Sequence, residues 1–215
     1  MPELKGKNVL ITAGPTYEAI DPVRFIGNHS SGKMGIALAE EASTLGAEVT
    51  LICGPSFVPS SEKIKRIDVV SAQNMFDAVM LEQVKMDVMI LSAAVADYRP
   101  KNVAENKIKK KDSGLSIELE PTPDILASLG KLKTKNQLLV GFALETDNEL
   151  ENAHSKLKRK NCDLIVLNSL QDAGAGFGHE TNKVSILDRH NNITTFELKS
   201  KAEVAKDILR LITDY

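Results

Sequence analysis

The sequence is poor in the residues that build disulfide frameworks and metal centres. Its 215 residues include two cysteines, four histidines and no tryptophan. The cysteines and histidines show no ligand spacing, which argues against structural zinc. Two cysteines also make no disulfide framework. We therefore expect Cys53 and Cys162 to be reduced and buried, in a protein of the cytoplasm.

Long apolar runs and an excess of charge are also missing. No stretch approaches the ~18 apolar residues of a transmembrane span, and the N-terminal MPELKGK is no signal peptide. The 27 basic and 29 acidic side chains give a formal net charge of −2. This balance predicts neither a nucleic acid nor a membrane as partner. The length and the 42% of hydrophobic residues suit a single globular domain over 1–215.

Short apolar segments alternate with amphipathic ones along the chain. The apolar segments predict strands at 8–13, 48–53, 66–70, 87–92, 137–143 and 163–168. The amphipathic segments predict helices at about 33–45, 72–84, 123–129, 147–160 and 202–212. Segments 183–188 and 193–198 read as a β-hairpin. Nearly all-apolar strands between helices predict an α/β fold: a Rossmann-like three-layer sandwich with a mostly parallel central sheet, closed by the hairpin and a helix.

Unusual polar residues follow the predicted strands. They lie in 14–33, 93–123, 143–147 and from Asn168 onward, and parallel sheets bind ligands at the carboxyl ends of their strands. Residues 98–121 carry little core-forming material and are rich in lysine. A connection of this length predicts a flexible lysine-rich flap, with lysines at 101, 107, 109, 110 and 111.

Residues 27–34 (GNHSSGKM) nearly match the phosphate loop G-x-x-x-x-G-K-[ST]. Met34 stands where Ser or Thr should bind magnesium, and the loop lies about fifteen residues beyond the first strand; both argue against a Walker-type NTPase. Small residues and backbone amides before a helix still favour a phosphate or carboxylate site, with Asn28 contributing its side-chain amide. The alternative is a plain helix N-cap.

The first strand is not followed by G-x-G-x-x-G. Gly14, Pro15 and Thr16 supply only one glycine, and proline blocks the tight turn around a diphosphate. A dinucleotide dehydrogenase is therefore disfavoured. An NAD(P)-binding oxidoreductase remains the alternative enzyme, and a nucleotide-binding module without chemistry is the alternative outside catalysis.

Asp97 lies five residues past the fourth predicted strand, after the small residues Ser92, Ala93 and Ala94. Small side chains let a ligand approach the backbone, and a carboxylate accepts from hydroxyl or amide donors. A helix cap or an ordinary surface position is the alternative for Asp97. No Ser/His/Asp or Cys/His set is suggested, so covalent nucleophilic catalysis by the protein is not expected.

Two groups of lysines could contact phosphate. The run from Lys107 to Lys111 is either a solvated face or a flap that closes on a triphosphate. Lys156 and Lys160 are spaced i,i+4 on one helical face. There they either complement the helix dipole or make further phosphate contacts.

Several segments taken together resemble the phosphopantothenoylcysteine synthetase family of coenzyme A biosynthesis, in its bacterial CTP-using branch. The likeness spans nearly the whole chain. It is carried by DPVRFI at 21–26, NHSSGKMG at 28–35, AAVADY at 93–98, KIKK at 107–110, PDIL at 123–126 and VGFALET at 140–146. It leaves open whether the chain is a free-standing synthetase or one half of a fusion with a decarboxylase. The residues Tyr17, Glu18 and Ala19 depart from the pattern.

The resemblance implies a ligase reaction. The carboxylate of 4′-phosphopantothenate attacks the α-phosphate of CTP, giving an acyl-cytidylate and diphosphate, and the amine of L-cysteine then displaces CMP. Magnesium is expected with the triphosphate, and no metal ligand is assigned. The family further implies a homodimer with composite active sites. CTP rather than ATP rests on the resemblance alone.

The resemblance also implies residue roles. Asn28 handles the pantothenoyl substrate and the intermediate, and Arg24 reaches the phosphopantothenate of the neighbouring subunit. Lys107, in the flap, serves amide formation and contacts the nucleotide. The remaining expected contacts to nucleotide or substrate are Ser92, Ala93, Ala94, Asp97, Pro123, Asp124, Ile125, Leu126, Phe142, Lys156 and Lys160.

Overall fold

The structure is a computed structural model that describes residues 4–110, 114–145, 147–169 and 179–215. Lys111, within the predicted flap, lies outside the described residues. The five helices of the described part are α1 Lys33–Thr44, α2 Ala72–Glu82, α3 Ile125–Leu132, α4 Glu149–Arg159 and α5 Lys201–Asp214. A 3-10 turn, Gln83–Lys85, follows α2.

The strands fall into one main sheet and three short pairs. The main sheet contains β1 Asn8–Ala13, β4 Glu48–Cys53, β5 Lys65–Asp68, β6 Val88–Leu91, β9 Leu138–Glu145, β10 Leu164–Ser169, β12 Val184–Asp188 and β13 Ile193–Thr195. The pairs are β2 Tyr17–Ala19 with β3 Phe25–Gly27, β7 Tyr98–Pro100 with β8 Leu119–Pro121, and β11 Thr181–Asn182 with β14 Lys199–Ser200.

The order of the main sheet is β13-β12-β10-β9-β6-β1-β4-β5. From β5 to β10 all neighbours are parallel, whereas β12 and β13 are antiparallel additions at one edge. The first strand lies centrally, because Val9 pairs with Val49 on one side and Val88 on the other. The chain therefore reverses direction across the sheet between β1 and β6, the place where such folds open a crevice.

Alternating side chains of the central strands build two cores. On one face, Val9, Ile11 and Ala13 pack in a cluster with α1 and α5. On the other face, Leu10 and Ile52 belong to a cluster with buried residues of α2, α3 and α4. Helices cover both faces of the sheet, as near-continuous apolar strands require. The prediction of a three-layer α/β fold is confirmed.

A charged cluster lies at the amino ends of β9 and β10. The side chains of Lys133 and Asp163 are about nine-tenths buried and form an ion pair. Asp163 also accepts the Leu139 N–H at 2.7 Å and lies 3.0 Å from Arg189 Nη2. Because β12 runs antiparallel to β10, its carboxyl end brings Arg189 to this edge. The cluster thus joins α3, the sheet and its antiparallel extension.

Most element boundaries agree with the sequence prediction, and the differences are local. The predicted helix at 123–129 was placed wrongly, because Asp124 is the N-cap and α3 runs from Ile125 to Leu132. The segment 14–33 contains the hairpin β2–β3, and the flap begins and ends in the antiparallel pair β7–β8. Neither hairpin was predicted. Within the described residues, no helix has the length and apolar character to cross a membrane. Cys53 and Cys162 are free and buried.

Candidate functional site

A cavity of about 870 Å³ opens at the carboxyl ends of β1, β6, β9 and β10. Of the fourteen residues predicted from the sequence, twelve line it. They are Asn28, Ser92, Ala93, Ala94, Asp97, Pro123, Asp124, Ile125, Leu126, Phe142, Lys156 and Lys160. The other two, Arg24 and Lys107, are not among its lining residues. The structure therefore gathers residues from five separate segments, while their individual roles remain predictions.

The N-terminus of α1 forms one wall of the cavity. Gly32 is its N-cap with φ of 82°, a left-handed conformation that glycine adopts without strain. A Cβ on Gly35 would lie 2.6 Å from the Cβ of Ala13 and 2.9 Å from the Thr12 carbonyl oxygen. Glycine here lets the helix approach β1 closely, so that the backbone amides of its first turn meet the cavity. Such an N-terminus favours an anionic ligand.

The segment after β6 is held to the end of β1 and to the residue after it by hydrogen bonds. Ala93 N–H donates to Thr12 Oγ1 at 3.1 Å, and Ala94 N–H donates to the Gly14 carbonyl at 2.9 Å. Asn28 Nδ2 donates to the carbonyls of Ala94 at 2.9 Å and Val95 at 3.2 Å. The side chain of Asn28 therefore ties the loop before α1 to the stretch that carries Ala93, Ala94 and Asp97.

The start of α3 forms the opposite wall. Asp124 Oδ1 accepts the Ala127 N–H at 2.9 Å, and its Oδ2 forms an ion pair with Lys160. Burial raises the pKa of Asp124, but the hydrogen bonds from Lys160 and Ala127 outweigh this effect and hold the pKa below its ordinary value. Two residues predicted to contact nucleotide thus pair with each other in the free protein.

The lining is basic although the chain as a whole is slightly acidic. Five cationic side chains stand against the carboxylates of Asp97 and Asp124, an excess of three. Burial lowers the pKa of Lys201, and the nearby charge of Lys33 lowers it further. The five cations are Lys33, Lys156, Arg159, Lys160 and Lys201. Such an excess of basic side chains suits a polyanion, because unlike charges attract strongly in a partly enclosed site.

Several lining residues were missed by the sequence reasoning. Asn168 follows a predicted strand, so its position was indicated although it was not chosen; its buried Oδ1 accepts no hydrogen bond within the described residues. Arg159 lies three residues beyond Lys156 on the same helix, a spacing that could have identified it. Lys33 lay within the loop but was not selected. Asn182 and Lys201 come from the C-terminal part, and no motif marked them.

Arg24 contacts the flap outside the cavity, at the residue that follows Lys107. Arg24 Nη2 bonds to Asp21 Oδ2 at 2.5 Å and to the Ile108 carbonyl at 2.9 Å. Lys107 is exposed and directly precedes Ile108. The predicted intersubunit arginine is therefore bonded to the flap backbone one residue after the predicted flap lysine.

The described residues contain no group of three or more His, Cys, Asp or Glu side chains placed to hold a metal ion. A divalent cation at this cavity would therefore depend mainly on oxygen ligands from a bound phosphate and from water, an arrangement that magnesium tolerates well.

Known proteins share this architecture and sequence. The model of the DNA/pantothenate metabolism flavoprotein C-terminal domain family matches residues 4–215. A protein of an unknown prokaryotic organism, named cysteine/cysteine sulfinic acid decarboxylase, is 60% identical over 97% of this chain and 58% of its own length. The coenzyme A biosynthesis bifunctional protein CoaBC of Vibrio cholerae is 48% identical over 97% of this chain and 53% of its own length.

A solved structure of the C-terminal domain of CoaBC superposes with a TM-score of 0.84 at 44% identity, covering 99% of this chain and 97% of that one. The chain spans only somewhat more than half the length of the two curated relatives. The matched region includes the whole cavity. This chain therefore belongs to the DNA/pantothenate metabolism flavoprotein C-terminal domain family.

Proposed function

We propose that this domain is a phosphopantothenoylcysteine synthetase, a ligase that joins 4′-phosphopantothenate to L-cysteine at the expense of CTP. The observation that carries the proposal is the basic cavity at the carboxyl ends of the parallel strands, where twelve predicted residues converge. Membership of the family and the 48% identity to a coenzyme A biosynthesis bifunctional protein support the same reaction.

The cavity suits activation of a carboxylate by nucleotidyl transfer. The amides at the N-terminus of α1 offer hydrogen-bond donors to a carboxylate or phosphate. Asn28 Nδ2 donates to the Ala94 and Val95 carbonyls, and it would offer its N–H groups to the substrate only by leaving them. Lys156 of α4 and Lys160, which caps its C-terminus, also line the cavity. They would supply the positive charge that a triphosphate and its leaving diphosphate need. No protein nucleophile is required, since the substrate carboxylate attacks the α-phosphate and the amine of cysteine attacks the resulting acyl-cytidylate.

The nucleotide would lie between β9, α3 and α4. Phe142 and the stretch from Pro123 to Leu126 supply apolar surface and backbone groups for the base and ribose. Asn168 Oδ1 is a buried acceptor that a ligand hydroxyl or amine would satisfy, which removes the cost of leaving it unpaired. CTP rather than ATP is proposed from the family likeness, and magnesium would accompany the triphosphate.

A homodimer is proposed from the exposed β2–β3 hairpin. Tyr17 and Phe25 stack with ring centroids 3.8 Å apart, yet Phe25 and Val23 remain about half exposed. An apolar hairpin beside a positively charged Arg24 fits a second copy of the chain, which would bring Arg24 to a neighbouring cavity. Light scattering at micromolar concentration tests this. A mass of about 23.4 kDa under those conditions would contradict it.

The decisive assay is release of diphosphate from CTP, with and without 4′-phosphopantothenate. We expect release only with phosphopantothenate, and formation of the amide once L-cysteine is added. ATP is run in parallel to test the base preference. Release independent of phosphopantothenate would contradict the proposed reaction. No release at all would also contradict it and would leave a nucleotide-binding module.

The name of the relative with 60% identity suggests a second assay, for decarboxylation. That protein is called a decarboxylase of cysteine or cysteine sulfinic acid, and the match covers 58% of it. Carbon dioxide release from either amino acid by this chain alone would replace the ligase proposal. A nicotinamide fluorescence titration tests the oxidoreductase alternative in the same preparation.

Replacing Asn28 by aspartate tests the carboxylate site directly. The variant places a negative charge beside the Ala94 and Val95 carbonyls, to which the amide now donates. We expect activation to proceed and amide formation to stall, so that acyl-cytidylate accumulates in a quenched reaction. Amide formation at the normal rate would refute the assignment of Asn28.

A further inference from the structure

Asp21 is a buried carboxylate that receives five hydrogen bonds. Its side chain has 0% exposure. Oδ1 accepts the backbone N–H groups of Val23 and Arg24, both at 2.9 Å. Oδ2 accepts Arg24 Nε at 3.1 Å, Arg24 Nη2 at 2.5 Å and the Ile108 N–H at 3.0 Å. Four of these bonds are local, but the fifth comes from a residue 87 positions away.

The distant bond fixes the flap beside its lysine. Ile108 directly follows Lys107, and its carbonyl also accepts Arg24 Nη2 at 2.9 Å. A second tether lies on the other side, where the Ala104 N–H donates to the Ile20 carbonyl at 3.0 Å. The backbone is thus held three residues before and one residue after Lys107, in a stretch that has no helix or strand of its own.

We propose that Asp21 is a positioning residue for Lys107: its buried carboxylate anchors the Ile108 amide and so sets where the neighbouring lysine can reach. The proposal rests on the proposed function, in which Lys107 serves the ligase reaction. Asp21 touches no reacting atom. It acts through the flap backbone, both directly and by orienting Arg24 towards the Ile108 carbonyl.

Asparagine at position 21 would break this arrangement with little change in volume. The five bonds require two acceptor atoms, and an amide offers one acceptor and one donor. If the amide oxygen keeps the local backbone bonds of Val23 and Arg24, its NH2 group faces the donors of Arg24 and Ile108. The hydrogen bond from the Ile108 N–H is then lost, because the NH2 group of asparagine is itself a donor and cannot accept a hydrogen bond from another donor.

The anchor can be observed without any activity measurement. In the unaltered protein, hydrogen exchange at the Ile108 amide should be at least about tenfold slower than its intrinsic rate. In Asp21→Asn, trypsin should cleave after the flap lysines about tenfold faster than in the parent. If Ile108 exchanges at its intrinsic rate in the unaltered protein, the anchor does not exist and the proposal fails, whether or not the variant folds.

The matched control is Glu18→Gln. Glu18 is also a buried carboxylate of the same segment, only 3% exposed, and it accepts a backbone N–H at 2.8 Å. That N–H belongs to Ala72 of α2 and not to the flap. Glu18→Gln should leave the tryptic cleavage rate at the flap lysines and the rate of synthesis unchanged. If trypsin cleaves both variants equally fast, the effect of Asp21→Asn is a general loss of stability and not the loss of a specific anchor.

A double-mutant comparison tests whether Asp21 works through Lys107. Asp21→Asn should lower kcat for synthesis by about 10- to 100-fold, the scale of a small misplacement of a catalytic group, while KM for CTP stays within about twofold. In a Lys107→Gln background, with 4′-phosphopantothenate saturating so that the contact proposed for Arg24 does not limit the rate, the same change should lower the remaining rate by less than about twofold. An equal loss in both backgrounds, or an unchanged kcat in Asp21→Asn, would overturn the proposal.

The failure of the proposed function would look different. It would be seen as an unaltered protein that neither releases diphosphate nor forms the amide, with Ile108 still protected. If instead the parent protein is active but its Ile108 amide is unprotected, the role of Asp21 is refuted. The same holds if Asp21→Asn leaves the activity unchanged.

Discussion

Replacing Asp163 by asparagine should destabilise the protein and leave its cavity intact. Asp163 pairs with Lys133, which is itself almost wholly buried, and it also meets Arg189 and the Leu139 N–H. These groups lie at the amino ends of β9 and β10, whereas the cavity opens at the carboxyl ends. The substitution therefore separates the stability of the fold from the chemistry of the site.

The expected loss in the free energy of unfolding depends on which hydrogen bonds and ion pairs the partners of Asp163 keep in the variant. Removing one member of a buried ion pair costs about 3–5 kcal/mol, because the other charge stays buried without compensation. Asparagine keeps one oxygen acceptor, and Arg189 keeps its bonds to Asn161 and the Cys162 carbonyl. We therefore expect the lower end, about 3 kcal/mol. For a chain of this length that loss lowers Tm by about 6–12 °C.

Urea unfolding at pH 7, followed by circular dichroism, measures the effect. The control Glu118→Gln breaks an exposed ion pair with Lys101 and should change the free energy of unfolding by less than about 0.5 kcal/mol. Adding Lys133→Met to Asp163→Asn removes the stranded charge and should recover part of the loss. A loss below about 1 kcal/mol in Asp163→Asn, or no recovery in the double variant, would refute the reasoning.

Three further predictions concern the site. Lys107→Gln should severely reduce overall synthesis with little change in Tm, since Lys107 is exposed outside the core; a Tm that falls as steeply as activity would make Lys107 structural. Lys156→Met should weaken CTP binding by about 10- to 150-fold in a calorimetric titration, the loss of one charge-assisted hydrogen bond to phosphate; unchanged affinity would show that Lys156 does not contact the nucleotide. The hydrogen bond from Arg24 holds the pKa of Asp21 in the folded protein well below its usual range. The ionised Asp21 therefore stabilises the fold fully above the pKa that Asp21 has in the unfolded chain, and this stabilisation is lost only as the pH falls through the pKa of Asp21 in the folded protein. Protection of the Ile108 amide, corrected for intrinsic exchange, should accordingly be the same at pH 7 and pH 4, and loss of protection near pH 5 would contradict this.

Much of the fold could be predicted from local patterns. The strands β1 and β4 were placed correctly to the residue, because a short and mostly apolar run bounded by turn signals admits few alternatives. The hairpins β2–β3 and β7–β8 could not be predicted in the same way. Each strand has only three residues, and the two strands of β7–β8 are separated by eighteen residues of flap, so no periodicity marks them.

Some residues of the site could be predicted from the sequence and others could not. Residues directly after strands converged on one cavity because the carboxyl ends of parallel strands share an edge of the sheet. Lys201 was not predicted, because it reaches the cavity from the start of the last helix, far along the chain. Arg24 and Lys107 lie outside the cavity, where the buried carboxylate of Asp21 accepts hydrogen bonds from Arg24 and from the backbone next to Lys107. Only the tertiary structure brings these two segments together.

The uneven charge of the molecule has a kinetic consequence. Three surplus positive charges line a recess in a protein whose total charge is −2, so an approaching triphosphate is repelled weakly at a distance and drawn inward near the opening. Salt shortens the range of both effects, to about 8 Å at physiological ionic strength. Rising salt should therefore slow nucleotide association more than it speeds dissociation, and the ligand with the most phosphate charge should be the most sensitive.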